Sequence, residues 1–163
     1  MLKPKLHRLH DVQEEIFRQL QLLIPDEVAY FDSFQSRVEG SPLLRMDILE
    51  RHPYTTFLRL TYFFDNGKAP ELAPDAHIRL YSDARMAEVT SFDPVQGCRR
   101  TASPFYPHRQ LFEKNWRLNL ALDKWLGYLL QQGHSIATMR VASDCIRANQ
   151  PAKTAVPVAL KLD

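Results

Sequence analysis

Six histidines are the first residues whose type suggests chemistry, because neutral imidazole is a common metal ligand and proton carrier. His7 and His10 stand three apart, while His52, His77, His108 and His134 are scattered among turns and strand ends. No HExxH, no CxxC and no histidine–carboxylate group at ligand spacing accompanies them, so no metal is expected. Cys98 has Arg99 and Arg100 beside it, a setting that favours the thiolate. A nucleophilic thiol also requires a base and an oxyanion site, and nothing near Cys98 in the sequence supplies them. Asp83 and Glu88 are a nearby pair of carboxylates for acid–base work. The patterns GxxxxGK[ST], GxGxxG and GxSxG do not occur and there are only five glycines, so no phosphate-cradling loop and no cofactor is expected. Two mixed sets remain. Tyr81, Tyr106, Asn119 and Trp125 combine polar tips with flat rings, as the lining of a ligand pocket does. Tyr81, Phe105 and Tyr106 with Arg99, Arg100 and Arg109 have the makings of a stacking and phosphate surface for single-stranded nucleic acid.

The elements that must position these residues follow from hydrophobic period. Asp11-Val-Gln-Glu14 resembles a capped helix start, and Val12, Ile16, Leu20, Leu23 and Ile24 form one apolar helical stripe that Pro25 ends. The period then shortens to two. Phe34, Ser36 and Val38 alternate with polar residues before the turn at Gly40-Ser-Pro42, and Leu44, Met46 and Ile48 alternate up to Arg51-His-Pro53. Thr55 to Phe64 is the longest strand candidate, with Thr56, Leu58, Leu60 and Tyr62 on one face and Phe57, Arg59 and Phe63 on the other. Asp65-Asn-Gly67 signals a turn, which Lys68 to Pro74 extends into a loop.

The segment His77–Phe92 carries most information. Ile78-Arg-Leu-Tyr81 and Met86-Ala-Glu-Val89 flank Ser82-Asp-Ala-Arg85, with Asp83 and Ala84 as the turn residues. That register sets Leu80 opposite Ala87 and Ile78 opposite Val89 on the buried side. Arg79 then faces Glu88 and Tyr81 faces Met86 on the other. A one-residue slip would mix the two faces, so this register is the expected one. It places Asp83 in the turn and Glu88 beside Arg79, which separates the two carboxylates. Beyond a basic, proline-containing loop from Phe92 to His108, Leu111, Leu118, Leu122, Trp125, Leu126 and Leu129 return to helical spacing, and Gly133 suits the helix stop.

One antiparallel sheet of about five strands with N-terminal and C-terminal helices on one face follows, an α+β two-layer domain over residues 1–133. Residues 134–163 are expected to be a loosely packed tail whose Val156, Val158, Leu160 and Leu162 add an edge strand. The chain of 163 residues is long enough to bury a core unaided, and its 45% hydrophobic and 25% charged residues are ordinary for a globular protein. Net charge is only +2, but residues 62–93 carry six acids against three bases and residues 96–118 five bases against one acid. Such asymmetry suits either a complementary partner or facing elements of one fold. No apolar run is long enough for a membrane span, and the first residues lack the apolar core of an export signal. A cytoplasmic setting with reduced cysteines is therefore expected.

Tyr54-Thr-Thr56, Arg79-Leu-Tyr81 with Asp83-Ala84, Ala87-Glu-Val89, Tyr106-Pro107, and Asn119 with Leu122, Trp125 and Leu126 together resemble the YqiB-like family of uncharacterised proteobacterial proteins. The Arg-Leu-Tyr-x-Asp-Ala-x-x-Ala-Glu-Val run is the most specific piece, and the resemblance covers about Asp11 to Gly133. The chain departs from the family pattern where Glu113-Lys-Asn115 stands in place of an Asp-Glu-Lys run. The resemblance implies a soluble bacterial cytoplasmic protein and supplies no activity. On the residues alone, the first functional expectation is a non-enzymatic interaction or regulatory module. It would meet a protein partner through an open sheet face and the basic loop, with Arg79, Tyr81, Asp83, Glu88, Arg99, Arg100, Tyr106, Arg109 and Asn119 as the candidate surface. The alternative is a small-ligand-binding protein or enzyme with a pocket near Arg79, Tyr81, Glu88 and Tyr106, and the third reading is single-stranded nucleic-acid binding, which the sparse interleaving of aromatics and bases disfavours.

Overall fold

The structure is a computed structural model that describes residues 3–65, 67, 69–93 and 108–143. Its first element, helix α1, spans Lys3–Gln21 and buries Leu9, Ile16, Phe17 and Leu20 along one stripe. It begins eight residues before the expected start. Asp11 is therefore an exposed mid-helix residue rather than a cap, and His7 lies on the helix with His10. A proline in the first turn, Pro4, is compatible with that earlier start because its missing N–H would have no helical partner there. The helix closes with Leu23 N–H to Leu20 O at 3.0 Å and Ile24 N–H to Leu20 O at 2.8 Å, and Pro25 precedes a single 3-10 turn at Asp26–Ala29.

Six strands follow the hydrophobic alternation: β1 Ser33–Ser36, β2 Leu43–Arg51, β3 Thr55–Phe64, β4 Glu71–Tyr81, β5 Met86–Asp93 and β6 Met139–Val141. They form one sheet in the order β5-β4-β3-β2-β1-β6, and each neighbouring pair is antiparallel. The β4–β5 register is the expected one: Leu80 opposite Ala87, Ile78 opposite Val89, Arg79 opposite Glu88 and Tyr81 opposite Met86. Strand β4 starts earlier than its alternation suggests, since Glu71–Pro74, expected to be loop, belongs to it. Pro74 is accommodated where the β3–β4 register shifts between Thr61 and Phe63, a place where a residue without an N–H costs the ladder least.

Helix α2, His108–Gln131, lies with α1 on one face of this sheet. Phe34, Leu44, Met46, Leu58, Leu60, Ala76, Ile78 and Ala87 from the sheet meet Ile16, Leu20, Leu23, Leu122, Leu126 and Leu129 in a single core. The two-layer α+β architecture is thus as expected. Leu111 departs from the pattern: it is exposed, and the buried stripe of α2 starts further along. The helix ends on Gly133 at φ +98, with Gly133 N–H bonded to Leu130 O and His134 N–H to Leu129 O, both at 3.1 Å. That pair of bonds is the Schellman arrangement, which needs the left-handed backbone glycine adopts without a Cβ penalty.

The expected domain end at Gly133 is followed by more of the sheet, not by a tail alone. The chain continues the sheet directly, as β6 pairs with β1 through Phe34–Val141, Gln35–Arg140 and Ser36–Met139. His134, Met139 and Ala142 are buried there. Residues 156–162 lie outside the described residues.

Candidate functional site

Because strand side chains alternate, the face of the sheet away from the helices is built from the odd-numbered residues of β3 and of β4 from Asp75 onward, with their cross-strand partners. Arg79 lies beside Glu88 of β5 and Phe57 of β3, His77 beside Ser91 and Arg59, and Arg59 beside Asp47 of β2. The result is a polar platform crossed by charges of both signs.

Three of the residues singled out from sequence meet on this platform. Arg79 Nη1 donates to Glu88 Oε1 and to the Tyr81 hydroxyl, each at 3.2 Å, and the Tyr81 hydroxyl donates to Glu88 Oε1 at 2.8 Å. The guanidinium also stacks on the Phe57 ring, 4.9 Å from its centroid. Partial burial, opposed by the Arg79 hydrogen bond, pushes the Tyr81 hydroxyl above its usual pKa, so it stays neutral and remains a donor. Arg79 and Glu88 are both partly open to solvent, so a double-mutant cycle over Arg79→Ala and Glu88→Ala is expected to return a coupling of about 0.2–1 kcal/mol. The coupling should shrink as salt is raised; a coupling well above this range that salt leaves unchanged would contradict a partly exposed ion pair.

Toward the centre of the sheet the platform is tied more tightly. Arg59 grips Asp75 with two parallel bonds of 2.7 Å, from Nε to Oδ1 and from Nη2 to Oδ2, and the side chains are only 28% and 18% exposed. The hydrogen bond to Asp75 raises the Arg59 pKa further above its already high value. Arg45 donates from Nε to both Asp47 carboxylate oxygens at 3.1 and 3.2 Å, and the Ser33 hydroxyl donates to Asp47 as well. His77 Nδ1 shares a 3.0 Å bond with the Ser91 hydroxyl. These central pairs were not anticipated from sequence. Arg59 was seen on the second face of its strand, but Asp75 directly follows the proline stretch assigned to a loop, so its partner was hidden.

The other candidates separate from this cluster. Asp83 is exposed in the β4–β5 turn, where its Oδ1 accepts the Ala84 N–H at 2.9 Å. Asn119 belongs to the opposite layer, buried on α2 and bonded to backbone of β5 and of its own helix. Trp125 is likewise core. Arg109 stands in the first turn of α2, and Arg99, Arg100, Phe105 and Tyr106 lie outside the described residues. Two surface depressions run along α1, one beside Leu6, His7, His10, Asp11 and Glu14 and one beside Glu14, Phe17, Arg18 and the Ala84–Arg85 turn. Among the described residues no group of three or more His, Cys, Asp or Glu side chains is placed to hold a metal ion. No described helix is long and apolar enough to cross a membrane.

A second polar cluster lies outside the residues that the sequence points to. His134, just past α2, is bonded through both ring nitrogens to Ser36 and Ser41, and Ser41 reaches the Tyr62 hydroxyl. Its partners Ser36, Ser41 and Tyr62 lie 72 or more positions away in the chain, so no local pattern marks it.

Comparison with known proteins places this framework among others of its kind. A family profile described as "Protein of unknown function (DUF1249)" matches residues 19–135, which take in the end of α1, strands β1 to β5 and α2. Similar relatives include the "Uncharacterized protein YqiB" of Escherichia coli strain K12 and those of Escherichia coli O6:H1 and O157:H7. Each is 29% identical over 136 residues, covering 80% of this chain and 89% of the relative. No solved structure matches.

Proposed function

The chain belongs to the DUF1249 family of proteins of unknown function, and from that premise we propose that it is an interaction module whose open sheet face docks a folded protein partner. The observation that carries this reading is the way the charged side chains of the face are held. Arg59 with Asp75 and Arg79 with Glu88 restrain one another across the strands, and Arg45 with Asp47 along β2, so little side-chain freedom is left to lose on association. Arg79, Phe57, Tyr81 and Met86 add the arginine and aromatic surface on which protein interfaces concentrate their binding energy. The same pairing weighs against a polyanion, because phosphates would have to displace the carboxylates that already engage these guanidinium groups.

A photo-crosslinking amino acid at Tyr81 tests the reading, with the same probe at exposed Tyr30 as control, in cells that carry this chain naturally. The expected result is a discrete protein adduct from Tyr81, absent from Tyr30, and lost when Arg59→Glu is added to a variant that still melts cooperatively. Adducts to nucleic acid, equal labelling at both positions, or an adduct indifferent to Arg59→Glu would each overturn the proposal.

A further inference from the structure

The cluster around His134 is independent of the sheet face and carries its own consequence. The ring is 1% exposed, and it bonds at Nδ1 to Ser36 Oγ (2.8 Å) and at Nε2 to Ser41 Oγ (3.0 Å). Ser36 Oγ lies 2.7 Å from Thr138 Oγ1, and Ser41 Oγ lies 3.2 Å from the Tyr62 hydroxyl. The direction of this chain is set at one end. The Thr138 hydroxyl donates to the Ser135 carbonyl at 3.0 Å, and a carbonyl only accepts. With the Thr138 proton placed there, Thr138 accepts from Ser36, Ser36 accepts from the Nδ1–H of His134, and Ser41 donates to a bare Nε2 while accepting from Tyr62. That direction assigns His134 the neutral Nδ1–H tautomer.

A proton arriving at Nε2 breaks this order. Ser41 would then have to accept from Nε2–H and turn its own proton toward Tyr62, and the rearranged bonds would still leave a positive charge on a buried ring. Among the described residues, the groups facing the ring offer no compensating charge: Ser36 from β1, Ser41 from the β1–β2 turn, Thr138 from the approach to β6, and Tyr62 from β3, whose ring lies 6.0 Å from the imidazole. Tyr128 of α2 acts electrostatically on Tyr62, and burial raises the Tyr62 pKa, so that hydroxyl stays neutral as well. Burial disfavours the charged imidazole.

The segment held by this ring is β6, which pairs with β1 over three residues and is followed by the Ala142 N–H bond to Ser33 O at 2.9 Å. We propose that His134 is a proton-triggered latch: neutral, it holds β6 on β1; protonated, it releases β6 and bares the β1 edge from Ser33 to Ser36. Burial lowers the ring's pKa below its ordinary 6.5, so the latched state binds fewer protons than the open one. The latch is at full strength above 6.5 and weakens as pH falls from there toward the lowered pKa.

Hydrogen exchange followed by NMR on the full chain tests this, with rates corrected for intrinsic pH dependence. Protection of the Ala142 amide and the β1–β6 ladder is expected to fall about tenfold per pH unit below the ordinary histidine range, while β3 amides keep theirs. The imidazole spectrum at neutral pH should show the Nδ1–H tautomer, and His134→Gln should make β6 protection independent of pH. An Nε2–H tautomer, β6 protection that does not change through the histidine range, or the same loss in His134→Gln would overturn the proposal. Should His134→Gln not fold, the tautomer and the wild-type exchange profile still decide.

Discussion

Truncation of Trp125 to alanine is expected to lower the stability of the fold by about 3–5 kcal/mol, the cost of removing a large buried aromatic that its surroundings cannot collapse to replace. The residue is 8% exposed, and its ring stands edge-on to Tyr62 at 5.8 Å and to Phe92 at 5.9 Å, bridging α2 to both the centre and the edge of the sheet. Leu122, Leu126 and Leu129 fill the same stripe of the helix, so the void left by alanine would be lined by side chains already packed elsewhere. Trp125→Phe should cost distinctly less. Phenylalanine retains aromatic contact, and the indole Nε1 it removes is buried without a hydrogen-bond partner among the described residues. Urea unfolding of the three proteins measures both values. A loss below about 1 kcal/mol for Trp125→Ala would mean that the ring lines an accommodating pocket rather than a packed core.

Asn119→Ala should cost about 1–3 kcal/mol, because it strands a buried donor rather than merely deleting a contact. Asn119 is 1% exposed; its Oδ1 accepts the Val89 N–H at 3.3 Å and its Nδ2 donates to Asn115 O at 2.8 Å. β5 is an outer strand of the sheet, so a backbone donor on it needs a partner from outside the ladder, and α2 brings the amide side chain to Val89. Hydrogen exchange should accelerate at Val89 more than at its neighbours. Asn119→Asp keeps an acceptor but buries a carboxylate, so its penalty should be greater at neutral pH than in acid, where the group is protonated. Unchanged stability and unchanged Val89 exchange in the alanine variant would show that water satisfies this amide instead.

The family's most specific run, Arg79 to Val89, was legible because its chemistry is local. A period of two and a four-residue connection are enough to choose between registers, and only one choice keeps Ile78, Ala87 and Val89 together on the buried side. The Arg79–Glu88 pair follows from that register without further information. Gly133 was legible for a similar reason, since a helix stop is written within a few residues of the stop itself. The start of α1 was misread because Asp11 and Glu14 have the composition of a cap while the backbone before them is equally able to be helical. Leu9, buried against the core, pays for the extra turns.

What the amino-acid order determined by itself was therefore the alternation of β1, β2, β3, β5 and the second half of β4, the apolar stripes of the two helices, and which side of the sheet would be polar, all of them properties of residues within about ten positions of one another. The tertiary structure alone decided that β6 closes the sheet against β1, that Asp75 lies under Arg59, and that His134 is enclosed by Ser36, Ser41 and Tyr62. Those contacts join segments far apart along the chain. Their energies depend on burial and on the distance between side chains, and neither exists until the two layers have packed together.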